Sequence, residues 1–264
     1  MKVREHNIKS LTDYIEICQR LPNQLFRGES DSSRQLLPSL FRHNIRHDKQ
    51  FYKWQGIEMD ILESFKRSGS RYLLDTENDI LEIIAQTRHF GLPSRLLDWS
   101  SNPLVALYFS VIDKYSEHNL SDGVVWFLTG QGWITDKFNT LKNLRSWFKN
   151  RHSYGILVYN PKKNNDRIIA QSGCFTIHKV PWTNTDVKSI YDTGFSPHAG
   201  QFLEKIIIPG ELKYSLRVEL DRLGINHFSL FPDGDGLAKD LEWRAFFNAK
   251  GRSYTLENLE RSDV

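Results

Sequence analysis

The pattern of the chain predicts an α+β fold: a single domain with N-terminal helices and a mixed, mostly antiparallel β-core. Three observations carry that expectation. Helical periodicity dominates up to about residue 110, β-branched and aromatic runs follow after residue 121, and no linker or low-complexity tract divides the 264 residues. One core can support that length, and an apolar share of 39% beside 25% charged residues is a globular balance rather than a disordered one.

The elements are read in order. Ser10 begins a helix to Arg20, with Asp13 three residues on as in a capping box and Leu11, Tyr14, Ile15 and Cys18 on one face. Asn23 to Gly28 reads as a short strand, with Gly28 turning the chain out of it. Helical spacing recurs over 51–67 and 77–89, the second with Thr76 and Asp79 as a capped start. Asn102 caps a further helix, and Pro103 occupies its first turn. That helix is apolar nearly all round through Phe109, which predicts burial. Strands are expected at Gly123–Leu128, Tyr154–Tyr159, Arg167–Gln171, Cys174–His178 and Leu203–Ile208, and helices near 138–150, 211–223 and 236–249.

Composition excludes several classes. With 35 basic and 32 acidic residues interleaved, no clustered basic face marks a nucleic-acid backbone binder. Two cysteines without metal-ligand spacing argue against a disulfide framework or a thiolate zinc site. The first residues lack the apolar core of a signal peptide, and no run approaches the ~20 apolar residues that span a bilayer, so a cytoplasmic protein without a membrane partner is expected.

Three polar segments sit where hydrophobic patterning does not require them. In Phe26-Arg27-Gly28-Glu29, an arginine at a strand end offers a planar fork suited to phosphate or carboxylate; its alternative is a pair with Glu29. Between His89 and Pro103, a polar and aromatic loop joins two apolar helices and places Arg95 and Asp98 three apart. They form either part of a site or an architectural ion pair. In the third segment Gly173 marks a bulge or close ligand approach, and Gln171 either reads a ligand or satisfies backbone. Asp98, Asp233, Asp235, Asp240 and Glu242 leave room for a metal-dependent nuclease or phosphodiesterase, although Asp233-Gly234-Asp235-Gly236 reads better as a turn.

FRGES at 26–30, QTRHFGLPSRLLDWSSNPLVALYFS at 86–110, AQSGCF at 170–175 and LGINHFSLFPDGDGLA at 223–238 together resemble the FRG domain, in order and over roughly residues 20–240. That family is known mainly from bacterial and phage proteins and implies little settled chemistry. A second resemblance, to ADP-ribosyltransferases of the Arg-Ser-Glu type, rests on Arg27-Gly28, then Ser100-Ser101-Asn102-Pro103 leading into a helix, then Gln171.

This second resemblance implies NAD as substrate. Arg27, Gly28 and Arg95 would hold its phosphates, Ser100 and Ser101 the nicotinamide ribose, and Phe175 would stack on nicotinamide. Where the transferases carry a catalytic glutamate this chain has Gln171, a neutral amide, so Asp98 is the carboxylate left to stabilise a cationic transition state. The implied activity is ADP-ribosyl transfer to a protein or nucleic-acid acceptor, or NAD hydrolysis, as an intracellular toxin or anti-phage effector with an antidote partner. A non-catalytic nucleotide- or protein-binding module is the remaining alternative.

Overall fold

The computed structural model describes residues 3–20, 24–43, 54–73, 80–112, 121–129, 156–163, 165–178 and 202–246. Seven strands join one sheet: β1 (Arg4–Asn7), β2 (Gln24–Glu29), β3 (Leu96–Ser100), β4 (Gly123–Thr129), β5 (Ile156–Tyr159), β6 (Gly173–His178) and β7 (Phe202–Ile208). Their order is β1-β7-β4-β2-β3-β6-β5. Only β1 and β7 pair in parallel; the other neighbours run antiparallel, as the composition of the strands led us to expect.

The helices are α1 (Leu11–Gln19), α2 (Trp54–Ser68), α3 (Ile80–His89), α4 (Pro103–Val111), α5 (Asp166–Ala170), α6 (Lys213–Arg222), α7 (His227–Leu230) and α8 (residues 234–246). Ser10 caps α1 by accepting from the Asp13 amide, and Asn102 caps α4 by accepting from the Leu104 amide. Both caps relieve donors that the first helical turn leaves without partners.

Two expectations of secondary structure need correction. Arg167–Gln171 forms no strand: Asn165 accepts from the Arg167 amide and starts α5, a local cap that outweighs the β-branched pair Ile168-Ile169. Leu96–Ser100 is a strand, not loop; its alternating neighbours bury against two different clusters. The capped start at Thr76 and Asp79 and the helix at 138–150 lie outside the described residues.

Phe26, Val125, Phe127 and Ile206 form one core with Tyr14 of α1, the apolar α4, and Leu216 and Leu220 of α6. Leu96, Phe175 and Ile177 form another with Leu62 of α2 and Leu81, Ile84 and Ala85 of α3. Gly28 does not turn the chain. It sits inside β2 where α4 crosses, and a Cβ there would lie 1.8 Å from the Ala106 carbonyl oxygen and 2.8 Å from the Ser110 nitrogen. Gly123 of β4 is under the same helix, its Cβ position 2.3 Å from the Ser110 carbonyl oxygen. Helix backbone therefore rests directly on strand backbone, a spacing only glycine allows.

Two substitutions test this packing. Gly28→Ala must move α4 off the sheet and is expected to cost on the order of 3 kcal/mol. Gly56→Ala, in α2 with no atom within 4 Å of its Cβ position, is expected to stabilise by about 0.5–1 kcal/mol through helix propensity. Urea unfolding of the two variants reads both signs.

Candidate functional site

Strands β2 and β3 meet at one register pair, Phe26 with Ser100. By contrast β2 pairs with β4 at six positions and β3 with β6 at five. The sheet thus has a seam, and side chains rather than backbone bridge it.

Arg27, next to that pair, reaches across. Its Nη1 donates to the Asp98 carbonyl at 2.7 Å and stands 3.5 Å from Asp98 Oδ2, while Nη2 donates to Glu29. Asp98 also receives a two-pronged contact from Arg88 of α3, at 2.6 Å from Nη2 and 3.3 Å from Nε. The remaining Arg88 nitrogen donates to Ser39 Oγ at 2.6 Å, in the 3-10 turn Ser39–Arg42, and that hydroxyl also accepts from the Ser94 amide. Arg42 and Arg34 approach Glu29 at 3.3 and 3.7 Å. Four guanidinium groups therefore surround two carboxylates, leaving positive charge in excess.

Protonation follows from this arrangement. Burial pushes the Asp98 carboxyl up, but Arg88 and then Arg27 more than offset it, and it stays below the ordinary range, ionised. Burial likewise opposes ionisation of Glu29, and Arg27 and Arg42 reverse the effect. Arg42 itself is lowered, by burial first and against the attraction of Glu29, with repulsion from Arg27 and Arg88 adding to the shift. The surplus of guanidinium over carboxylate at the seam makes it a place where an anion is welcome.

Asp98 is surrounded by enough protein for burial to be the largest influence on it, yet 44% of its side chain stays exposed, against 12% for Arg27. Its carboxylate is therefore reachable from solvent at the seam. Arg27 Nε is buried and has no hydrogen-bond partner among the described residues.

The other residues singled out from sequence go elsewhere. Arg95 does not pair with Asp98. It is buried against Glu58 of α2, which accepts from its backbone amide at 2.9 Å and from Nε at 2.5 Å. Ser100 Oγ donates to the Gln171 carbonyl and accepts from the Asn102 amide, so it locks the entry to α4. Ser101, exposed, bonds through its amide to the Ser172 carbonyl. Gln171 ends α5, and its side-chain amide donates to the Leu230 carbonyl at 3.0 Å. Phe175 is 5% exposed, inside the α3 core. Gly173 opens β6 with ordinary space around it. Of the charged residues singled out, Arg27 and Asp98 converge.

The acidic residues considered for a metal also separate. Asp233 caps α8, accepting from the Gly236 amide, and pairs with Arg167 at 2.6 Å, while Asp240 pairs with Arg244. Among the described residues no three His, Cys, Asp or Glu side chains gather as metal ligands. Also among them, no helix is long and apolar enough to cross a membrane.

Arg88, Ser39, Arg34 and Arg42 are the site residues that sequence reasoning missed. Arg88 lies in the last turn of α3, where a basic residue ordinarily serves the helix dipole. The other three lie in a stretch without periodicity, so nothing local marks them.

Behind the seam, Trp99 Nε1 donates to Thr176 Oγ1 at 2.9 Å, and Thr176 Oγ1 stands 3.0 Å from His178 Nε2. Burial, and then Arg27, push the His178 imidazole down to about 3, so it stays neutral and can accept the Thr176 proton. Between pH 6.5 and about 3 the unfolded chain binds a proton there that the folded protein refuses, so stability falls as pH drops through that window. His178→Gln, which keeps an acceptor, is expected to flatten the fall of the melting temperature between pH 6.5 and 4. A second prediction concerns Glu58, 1% exposed: Arg95→Met strands its charge and should cost about 3–5 kcal/mol in urea unfolding.

Comparison with known proteins bears on the seam. No curated protein and no solved structure matches the chain, so the resemblance to ADP-ribosyltransferases has no counterpart there. Residues 22–119 match the family model of the FRG domain. That match ends before the segments at 170–175 and 223–238, but it contains Arg27, Glu29, Ser39, Arg88 and Asp98. Across the stretch that supplies both lips of the seam, this protein is similar to the FRG domain.

Proposed function

We propose that the β2–β3 seam is an anion-binding catalytic site acting on NAD, releasing nicotinamide and passing ADP-ribose to water or to a protein or nucleic-acid acceptor. The observation that carries this reading is Asp98: an ionised carboxylate, partly open to solvent, at a seam where arginines gather. Arg34 and Arg42, with side chains 53% and 39% exposed, present forks that suit a pyrophosphate.

The chemistry asks little of the chain beyond placed charge. As the bond between ribose C1′ and the nicotinamide nitrogen breaks, its electron pair goes to the nitrogen and cancels the pyridinium charge. Positive charge moves to the ribose. Asp98 faces it, and stabilisation there acts on the transition state rather than on the neutral leaving group. Water or an acceptor hydroxyl then bonds to C1′ and gives up its proton to solvent. Gln171 has no part in this step, because its amide is neutral and engaged at Leu230. Arg88 has the supporting role of keeping Asp98 ionised.

The test is mass spectrometry of purified protein with NAD and cell lysate. Wild-type protein is expected to release nicotinamide, and Asp98→Asn, which keeps the shape but not the charge, to lower the rate on the order of 10²–10³-fold. Arg27→Lys is expected to weaken NAD binding, because a point charge replaces the fork. NAD left intact by wild-type protein, with lysate present, would overturn the enzymatic reading; NAD bound but uncleaved would make the seam a nucleotide-binding module.

A further inference from the structure

Helix α8 turns its polar side inward and its apolar side to solvent. At 3.6 residues per turn, Leu237, Ala238, Leu241 and Ala245 share one arc of about 100°. All four are exposed, Leu237 at 40% and Leu241 at 56%. Gly236, Asp240 and Trp243 lie on the other side, with Gly236 and Asp240 buried. Contacts fix this rotation. A Cβ at Gly236 would lie 1.8 Å from the carbonyl oxygen of Phe231, at the end of α7. Arg244 Nε donates to Asp240 at 2.7 Å, and its Nη2 donates to Asp221 of α6 at 2.6 Å. The Arg217 guanidinium of α6 sits 4.4 Å over the Trp243 ring. Rolling the leucines inward would break these contacts, so the apolar arc stays in solvent until something covers it.

The surroundings point the same way. Among the described residues ten large apolar side chains are exposed, and six of them, Tyr214, Leu223, Phe228, Leu237, Leu241 and Phe246, lie on or next to α6–α8. Apolar exposure gathered on one part of a fold marks an interface. A membrane surface is a poor occupant: the charges of α8 are Asp235, Lys239, Asp240, Glu242 and Arg244, more acidic than basic, where an interfacial helix is rich in Lys and Arg.

The order of sizes along the arc fits a second copy of the same helix. In an antiparallel pair with its two-fold axis at Leu241, Leu237 of each copy lies over Ala245 of the other, and Leu241 meets Leu241. Large side chains thereby meet small ones, as a self-complementary two-fold contact requires. Lys239 and Glu242 occupy the same rim of the arc, two residues before the axis and one after it, so the pairing brings Lys239 of one copy beside Glu242 of the other. We infer that this protein forms a two-fold dimer through the outward face of α8. Dimerisation there is independent of what the seam binds.

Light scattering and sedimentation of the full chain test the dimer. Wild-type protein is expected to be dimeric, and Leu241→Glu to weaken association on the order of 100-fold or more while its circular dichroism stays that of the folded protein. Cysteine cross-linking reads the register. Across the axis of a close helix pair the Cα atoms are about 4–6 Å apart, within disulfide reach, so Leu241→Cys is expected to link to itself on mild oxidation. Leu237→Cys, about 12 Å from its own copy along the helix, is expected to link only when mixed with Ala245→Cys. Wild-type protein, whose Cys18 is half-buried and Cys174 buried, is the control. Three results would overturn the inference: a monomer throughout the soluble range, which leaves the arc to a different protein; a dimer indifferent to Leu241→Glu; or Leu237→Cys linking to itself.

Discussion

Arg27 holds the two parts of the sheet together where backbone does not. Past the pair Phe26–Ser100 the strands β2 and β3 share no further ladder, and the guanidinium takes over by donating to the Asp98 carbonyl and to Glu29. One side chain therefore serves as sheet connector, carboxylate partner and potential ligand donor. Two constraints make this possible: a planar group with five donors can satisfy several acceptors at once, and it remains charged under burial. Burial acts against the Arg27 charge, and Glu29 and Asp98 restore it, so its affinity for protons is raised on balance.

The seam depends on packing elsewhere. Because Gly28 and Gly123 let α4 rest on the strands, that side of β2 is closed by helix backbone, and Arg27 projects from the next position on the strand. On the other lip, α3 buries Leu81, Ile84 and Ala85 against Leu96, and this docking delivers Arg88 to Asp98. Glu58 and Arg95 brace the turn between α3 and β3 as a buried pair that has no opening to solvent. Arg95 is thus structural and sealed, whereas Asp98 is exposed at the seam. Accessibility separates the two kinds where charge alone does not.

Much of the architecture could be read from local chemistry. Ser10 and Asn102 identify themselves as caps, the apolar run of α4 announces burial, and the β-branched runs after residue 121 mark strands. α5 misled because its Ile168-Ile169 pair carries a strand signal that a four-residue window cannot weigh against the Asn165 cap. β3 misled because its polar residues, Asp98 and Ser100, meet Arg27 and Gln171 from distant parts of the chain and break the alternation expected of a strand.

By itself the sequence determined the α+β class, the similarity to the FRG domain over its first half, and the candidacy of Arg27 and Asp98. Each follows from residue types and spacings that act over a few positions. Only the tertiary structure decided that Arg95 belongs to Glu58, that Gln171 and Ser100 tie loops to helices, and that Arg88, Arg42 and Arg34 join Arg27 around the carboxylates. The reason is physical. An arginine or carboxylate has no preferred partner along the chain, and which opposite charge it meets is set by how the helices dock on the sheet.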